Sequence, residues 1–360
     1  MMVMASLQKP NLAILSALVF SSGIMLSAYG AGNNMDEPRQ GALLQELDES
    51  QSLHFAAIGD WGAPLSSPRQ RSGQQAVADG VASWLEKITN ENNGQDENSP
   101  FILSLGDNFY PSGVTNADEM AERFDQSFDD IYSHDAFGDV PWYVVAGNKD
   151  YESDITAQMN YSGSSRWIFP DYFHRVVREV RGPRSDVIGG AMKVEIILTD
   201  TMQLAGTTQF PTLSKSRDER TPRETADRGL QYIKHHLRHS DADYLIVVGH
   251  FPAHSVSGLE ELLQIHKVSA YVHGHVHCQQ HKRKQGVDYF TSGTGMEIGC
   301  RKDDIDHKGA TGGFLSFQAS VDKMVVRFHD QISHEIYQVV IRPRFENNRG
   351  DRLEEPFEIA

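Results

Sequence analysis

Short apolar runs that stop abruptly at a glycine and an oxygen- or nitrogen-bearing side chain recur through most of this chain. Leu53–Ile58 runs into Gly59-Asp60, Phe101–Leu105 into Gly106-Asp107, Trp142–Ala146 into Gly147-Asn148 and Tyr244–Val248 into Gly249-His250. Val194–Leu198 ends at Thr199-Asp200, and Val268–Val272 at His273-Gly274-His275. A strand wetted on one face alternates apolar with polar residues, so runs that are apolar throughout must be covered on both faces. Between them lie stripes at helical spacing. Val77, Val81, Trp84, Leu85 and Ile88 form one, Phe124, Phe128 and Ile131 a second, and Ala226, Leu230, Ile233 and Leu237 a third. Strand–helix alternation predicts an α/β fold. The last third changes character, with strands predicted at Tyr289–Thr291, Gly313–Ala319, Lys323–His329 and Glu335–Ile341.

A chain of 360 residues with 39% hydrophobic content can build one large core or two smaller ones. The formal charge of −16 argues against a nucleic-acid-binding face and against electrostatic docking to anionic lipid. The N-terminus carries Lys9, then an apolar stretch from Leu12 to Tyr29 with interspersed serines and glycine, then small residues around Gly30. That pattern predicts a secretory signal peptide over 1–30, with an uncleaved anchor as the alternative. A polar linker over 31–52, a folded domain over 53–346 and a charged tail over 347–360 complete the expected organisation. After cleavage no stable membrane span is expected. Secretion would permit a disulfide between Cys278 and Cys300; two free buried thiols are the alternative. Asn160-Tyr161-Ser162 is an acceptor sequon for N-glycosylation.

In open α/β sheets, ligands bind beyond the carboxyl ends of the strands. Asp60, Asp107, Asn148, His250, His275 and His277 all fall there. One such residue alone is ordinarily a turn residue or helix cap. The whole set, made of carboxylate, amide and imidazole donors, predicts a metal site. A carboxylate can bridge two cations, while neutral imidazoles and an amide oxygen complete the shells without excess negative charge. Two such metals activate water and clamp the attacking and leaving oxygens of an in-line displacement, which suits hydrolysis of small phosphate esters.

The blocks Gly59-Asp60-Trp61-Gly62, Gly106-Asp107-Asn108-Phe109-Tyr110, Gly147-Asn148, Gly249-His250 and Gly274-His275-Val276-His277 resemble those of the purple acid phosphatases, in their tartrate-resistant form. The likeness continues through Pro141–Val144 and Arg166–Pro170 and spans roughly residues 53 to 342. It implies a metallophosphoesterase four-layer αββα sandwich. The wider calcineurin-like family has Asp-x-His in its first block, and that His binds metal. Here the position is Gly62, and Tyr110 replaces the missing ligand. By this resemblance Asp60, Asp107, Tyr110 and His277 take Fe3+. Asp107, Asn148, His250 and His275 take Fe2+, Zn2+ or Mn2+. The resemblance also implies a secreted or lysosome-like location.

Two departures stand out. The family has Gly-Asn-His-Asp or Gly-Asn-His-Glu where this chain has Gly147-Asn148-Lys149-Asp150. That His holds phosphate and assists leaving-group protonation; a lysine supplies charge but is a poor proton donor in mild acid. The loop after His250 is shorter than in the family, and His254 is a candidate substitute for a further histidine there, with an ordinary loop histidine as the alternative. Asn108 is a candidate for orienting substrate, with a turn or capping role as its alternative. His273 reads as a strand-end residue and Asp200 as a structural one. The principal reading is an acid phosphatase acting on phosphate monoesters. The alternative is a weakly active or inactive scaffold, as in the apicomplexan glideosome anchors that resemble the same family, and Lys149 favours it. A nuclease or phosphodiesterase fits the wider fold but not the acidity of this chain.

Overall fold

A computed structural model describes residues 52–91, 98–180, 191–206, 222–296, 307–308 and 312–345. The signal-like segment, Cys300 and the charged tail lie outside them. Two seven-stranded sheets organise the chain. The first runs β14 (Glu335–Ile341), β13 (Met324–Asp330), β12 (Gly313–Ala319), β1 (Leu53–Ile58), β2 (Phe101–Ser104), β3 (Trp142–Val144), β4 (Trp167–Ile168). The second runs β11 (His307–Lys308), β9 (Gln279–Lys284), β10 (Val287–Ser292), β8 (Ala270–His273), β7 (Tyr244–Gly249), β6 (Met192–Thr199), β5 (Phe173–Val180).

Each central strand divides its side chains between two cores, which is why its sequence is apolar throughout. In β1, Leu53, Phe55 and Ala57 enter the core between the sheets, where Val194, Ile196 and Leu198 of β6 and Tyr244, Ile246 and Val248 of β7 meet them. The alternate residues Ala56 and Ile58 turn outward against α1 (Pro68–Glu91), whose Val77, Val81, Trp84, Leu85 and Ile88 are all buried. Leu245 and Val247 of β7 turn the other way, against Ile233 and Leu237 of the helix Pro222–His239 and Leu259, Leu262 and Leu263 of the helix Leu259–Ile265. The order of layers is therefore helix, sheet, sheet, helix. No described helix is long and apolar enough to cross a membrane.

The stripe Phe124, Phe128, Ile131 is buried as expected, but not on one regular helix. α2 (Ala117–Phe124) passes into a π-helical turn, Asp125–Asp129. The wider turn brings Ser127 to the guanidinium of Arg123, which also donates to the Tyr110 carbonyl at 3.0 Å. A short helix, α3 (Ile155–Met159), ends at Asn160, which is exposed.

Candidate metal centre

The strand exits converge where both sheets end. Asp60 follows β1, Asp107 β2, Asn148 β3, His250 β7 and His275 β8. Asp60, Asp107 and His275 have φ of 56°, 53° and 66°, the left-handed region that side-chain-bearing residues seldom occupy. Such conformations persist only where the surroundings hold them. The Asp60 N–H donates to Gly106 O at 2.9 Å and its carbonyl accepts the Thr294 hydroxyl at 2.8 Å. The His275 N–H donates to Asp60 Oδ2 at 2.9 Å.

The donors form two sets. In the first, Tyr110 Oη stands 3.1 Å from Asp60 Oδ1, 2.9 Å from Asp107 Oδ2 and 3.2 Å from His277 Nε2. In the second, Asn148 Oδ1 stands 3.1 Å from His250 Nε2 and 3.0 Å from His275 Nδ1, and His250 Nε2 lies 3.4 Å from Asp107 Oδ1. Asp107 gives one oxygen to each set. His250 Nδ1 meets the Leu105 carbonyl at 2.8 Å, so that nitrogen carries the hydrogen and Nε2 keeps its lone pair for the cluster. The Asp60 side is enclosed; His275 is exposed and leaves the other side open to solvent.

The chemistry of this set fits cations. Asp60 and Asp107 are 0% and 2% exposed, and among the described residues neither pairs with a lysine or arginine side chain. Buried carboxylates are costly without positive partners. Burial pushes the Asp107 carboxyl up to about 6, opposed by His250 and reinforced by Asp60 and Asp150. Burial, then the charges of Asp60 and Asp107, hold the Tyr110 phenol well above its ordinary range. Ligand atoms of Asp60, Asp107 and His250 all lie within 4.8 Å of one another. Positive ions among these hard oxygens and imidazoles would offset each of these costs.

Behind the donors lies a carboxylate that the sequence reading left without a role. Asp150 is fully buried and accepts from Gly147 N at 2.8 Å, Asn108 N at 3.0 Å, Phe109 N at 3.3 Å, Asn108 Nδ2 at 3.2 Å and Gln158 Nε2 at 2.9 Å. It thereby fastens the loop of Asp107 and Tyr110 to the loop of Asn148. Gly62 closes the arrangement from the first loop. A Cβ there would stand 1.8 Å from Asn108 O, and the Gly62 carbonyl accepts from Tyr110 N at 2.8 Å. No side chain fits at Gly62, so the Tyr110 loop occupies the space that a histidine at this position would need.

Residues 53–279 match the model of the calcineurin-like phosphoesterase family. The chain belongs to that family. A relative, the tartrate-resistant acid phosphatase type 5 of Oryctolagus cuniculus, is 35% identical over 317 residues, covering 81% of this chain and 92% of the rabbit protein. Purple acid phosphatase 4 of Arabidopsis thaliana is 28% identical over 311 residues, 80% of this chain and 83% of its own. Among solved structures, GAP50, the anchor in the inner membrane complex of Plasmodium, matches with a TM-score of 0.64 at 22% identity over 81% of this chain and 89% of that one. The last likeness concerns the fold.

Within this phosphoesterase fold the remaining candidates separate. The Lys149 N–H donates to Asp107 Oδ1 at 2.7 Å, while its ammonium is paired with Glu152 at 2.6 Å. The pairing follows from the 3-10 turn Asp150–Glu152, in which residues three apart eclipse one another. Asn108 is 0% exposed, and its amide is consumed by Ser104, Val145, Asp150 and Gln158. These bonds tie the turn that carries Asp107 to the neighbouring strands and loops. His254 is exposed on the turn Ala253–Ser255, and among the described residues no hydrogen bond joins it to the donors. His273 is buried, with its ring nitrogens against Gly274 O at 2.8 Å and Thr291 Oγ1 at 3.1 Å. Asp200 caps the helix Thr201–Ala205 and accepts the Tyr151 hydroxyl at 2.6 Å. The next residue, Thr201, accepts the N–H groups of His250 and Phe251. Cys278 is buried and disulfide-bonded.

Proposed function

We propose that the chain is a purple acid phosphatase that hydrolyses phosphate monoesters at a dinuclear centre. The observation that carries this reading is the division of donors into two sets that share Asp107. Asp60, Asp107, Tyr110 and His277 would hold Fe3+, since a phenolate is a hard oxygen ligand suited to that ion. Asp107, Asn148, His250 and His275 would hold Fe2+, Zn2+ or Mn2+. Bound there, the cations supply Lewis acidity that activates water and neutralises phosphate charge. The chain's own part is to hold its donors fixed and to admit phosphate on the exposed side lined by His275, Asn148 and Lys149. Lys149 would contribute positive charge toward phosphate once its ammonium turns from Glu152. His254 is the candidate for delivering a proton to the leaving group, which it would do from an exposed turn. Export through the signal-like segment accords with the disulfide at Cys278.

A second reading is a weakly active scaffold, and the observation that favours it is the Lys149–Glu152 ion pair. Metal analysis with turnover of p-nitrophenyl phosphate across pH separates the two. Activity with two metals, one of them iron, is expected. Full metal content without turnover would establish the scaffold reading instead. Asp107→Asn is expected to lose both metals together, because the shared carboxylate serves both; an unchanged metal content in that variant would refute the bridging assignment.

A further inference from the structure

A second group of imidazoles lies at the opposite end of the sheets. The helix Pro222–His239, here α5 with Thr201–Ala205 as α4, ends on the sequence His235-His236-Leu237-Arg238-His239. Tyr244 begins β7 five residues later, whereas His250 follows the other end of that strand. The two histidine groups are therefore separated by the length of β7.

Residues three and four apart on a helix lie side by side, so His239 neighbours both His235 and His236. The rings of His235 and His239 stand 4.5 Å apart, and those of His235 and His236 5.1 Å. His235 and His239 are exposed. The Nδ1 of His239 lies 2.7 Å from the His235 carbonyl. A carbonyl only accepts, so Nδ1 carries the hydrogen and Nε2 is the free donor atom. Metal-ligating histidines are ordinarily oriented by this kind of bond, and His250 shows the same device at the dinuclear centre. One further feature favours positive charge here: the last turn of a helix carries partial negative charge. The buried carboxylate of Glu195, 3.9 Å from His236 Nδ1, is already paired with Arg175 at 2.9 Å and adds little. A basic residue at a helix end needs only that partial charge; it does not require two exposed imidazoles in contact with one tautomer fixed.

We propose that His235 and His239 form a second, peripheral metal site that chelates one borderline divalent cation of the Zn2+ class, with His236 flanking it. Spacing of i and i+4 is how a single helix offers two histidines to zinc. Water would complete the shell, which makes the site weaker and more readily exchanged than the dinuclear centre.

The test uses protein with its dinuclear centre filled. Zn2+ titration by calorimetry is expected to show one equivalent beyond that centre. Cu2+ added to one equivalent is expected to give an electron paramagnetic resonance spectrum split by two imidazole nitrogens. His235→Gln or His239→Gln should each weaken the added equivalent by at least about tenfold, and the double variant should remove it. Turnover of p-nitrophenyl phosphate is expected to be unchanged, because these residues stand away from the donors. Absence of an added equivalent in the unaltered protein, or its persistence in the double variant, would overturn the proposal.

Discussion

Replacing Asp150 by asparagine keeps the shape of the side chain and reverses the polarity of one of its two oxygens. Oδ1 accepts from Phe109 N and Gln158 Nε2, Oδ2 from Gly147 N and Asn108 Nδ2, and Asn108 N is shared between the two oxygens at 3.0 and 3.1 Å. Whichever oxygen becomes NH2, at least two buried donors then face another donor. Each unsatisfied buried donor costs about 1–3 kcal/mol, and the surviving bonds lose charge assistance. Relief from burying a carboxylate, itself held above its ordinary range by desolvation, offsets part of this. A net loss of about 3–5 kcal/mol follows, at the upper end of what single substitutions do. For a chain of this size that corresponds to a fall in Tm of about 4–8 °C. Thermal unfolding of metal-free wild type and Asp150→Asn isolates this term, and metal content measured separately reports the loops. Because the residue joins the Asp107 loop to the Asn148 loop, the second set of donors should lose its ion first. A Tm within about 2 °C of wild type, with both metals retained, would refute the argument.

Tyr110→Phe should abolish the phenolate-to-iron absorption band while a second metal remains; a colourless wild-type protein with iron bound would exclude the phenolate. Lys149→His should raise kcat/KM for an alkyl phosphate more than for an aryl phosphate, since a general acid contributes about 10²–10⁴-fold where the leaving group needs a proton; an unchanged ratio would place proton delivery elsewhere. The third concerns acid stability. Burial, with Arg327 adding to it, lowers His54 to about 4, and burial lowers His174 and His329 to about 4 as well. The unfolded chain binds protons from about pH 6.5 downward while the folded chain does not, so stability falls as pH drops from 6.5 and levels off below 4. Each site contributes at most about 3 kcal/mol across that window. His174→Leu should flatten the decline in Tm between pH 7 and 4; the same slope in variant and wild type would count against it.

The donors were legible in the sequence because buried strands make their exits conspicuous: a run covered on both faces can end only where the chain leaves the core. β5 and β9 were not, because they are wetted where the central strands are covered. Lys282, Arg283 and Lys284, three successive residues of β9, are exposed on both faces, and such a strand carries no continuous apolar signal. The π-helical turn after α2 was hidden because a stripe of spacing four then three is compatible with either winding. Asp150 was overlooked for a different reason. It stands two residues beyond Asn148 in a strand-exit block, and its acceptor role depends largely on N–H groups contributed by another loop. An acid directly behind a set of donors, with no place in either metal set, is the signal that would have found it.

Gly62 constrains how this centre could change over generations. A histidine introduced there alone meets the Asn108 carbonyl at a distance no side chain tolerates, so the first intermediate on that path would misfold its own ligand loop. Removing Tyr110 first leaves the first donor set one ligand short. Either order passes through an impaired protein, although the start and the end could each hold two metals. The choice between a tyrosine-bearing and a histidine-bearing first site is thus a ratchet, set by one carbonyl oxygen and passable only by moving the loop and both residues together.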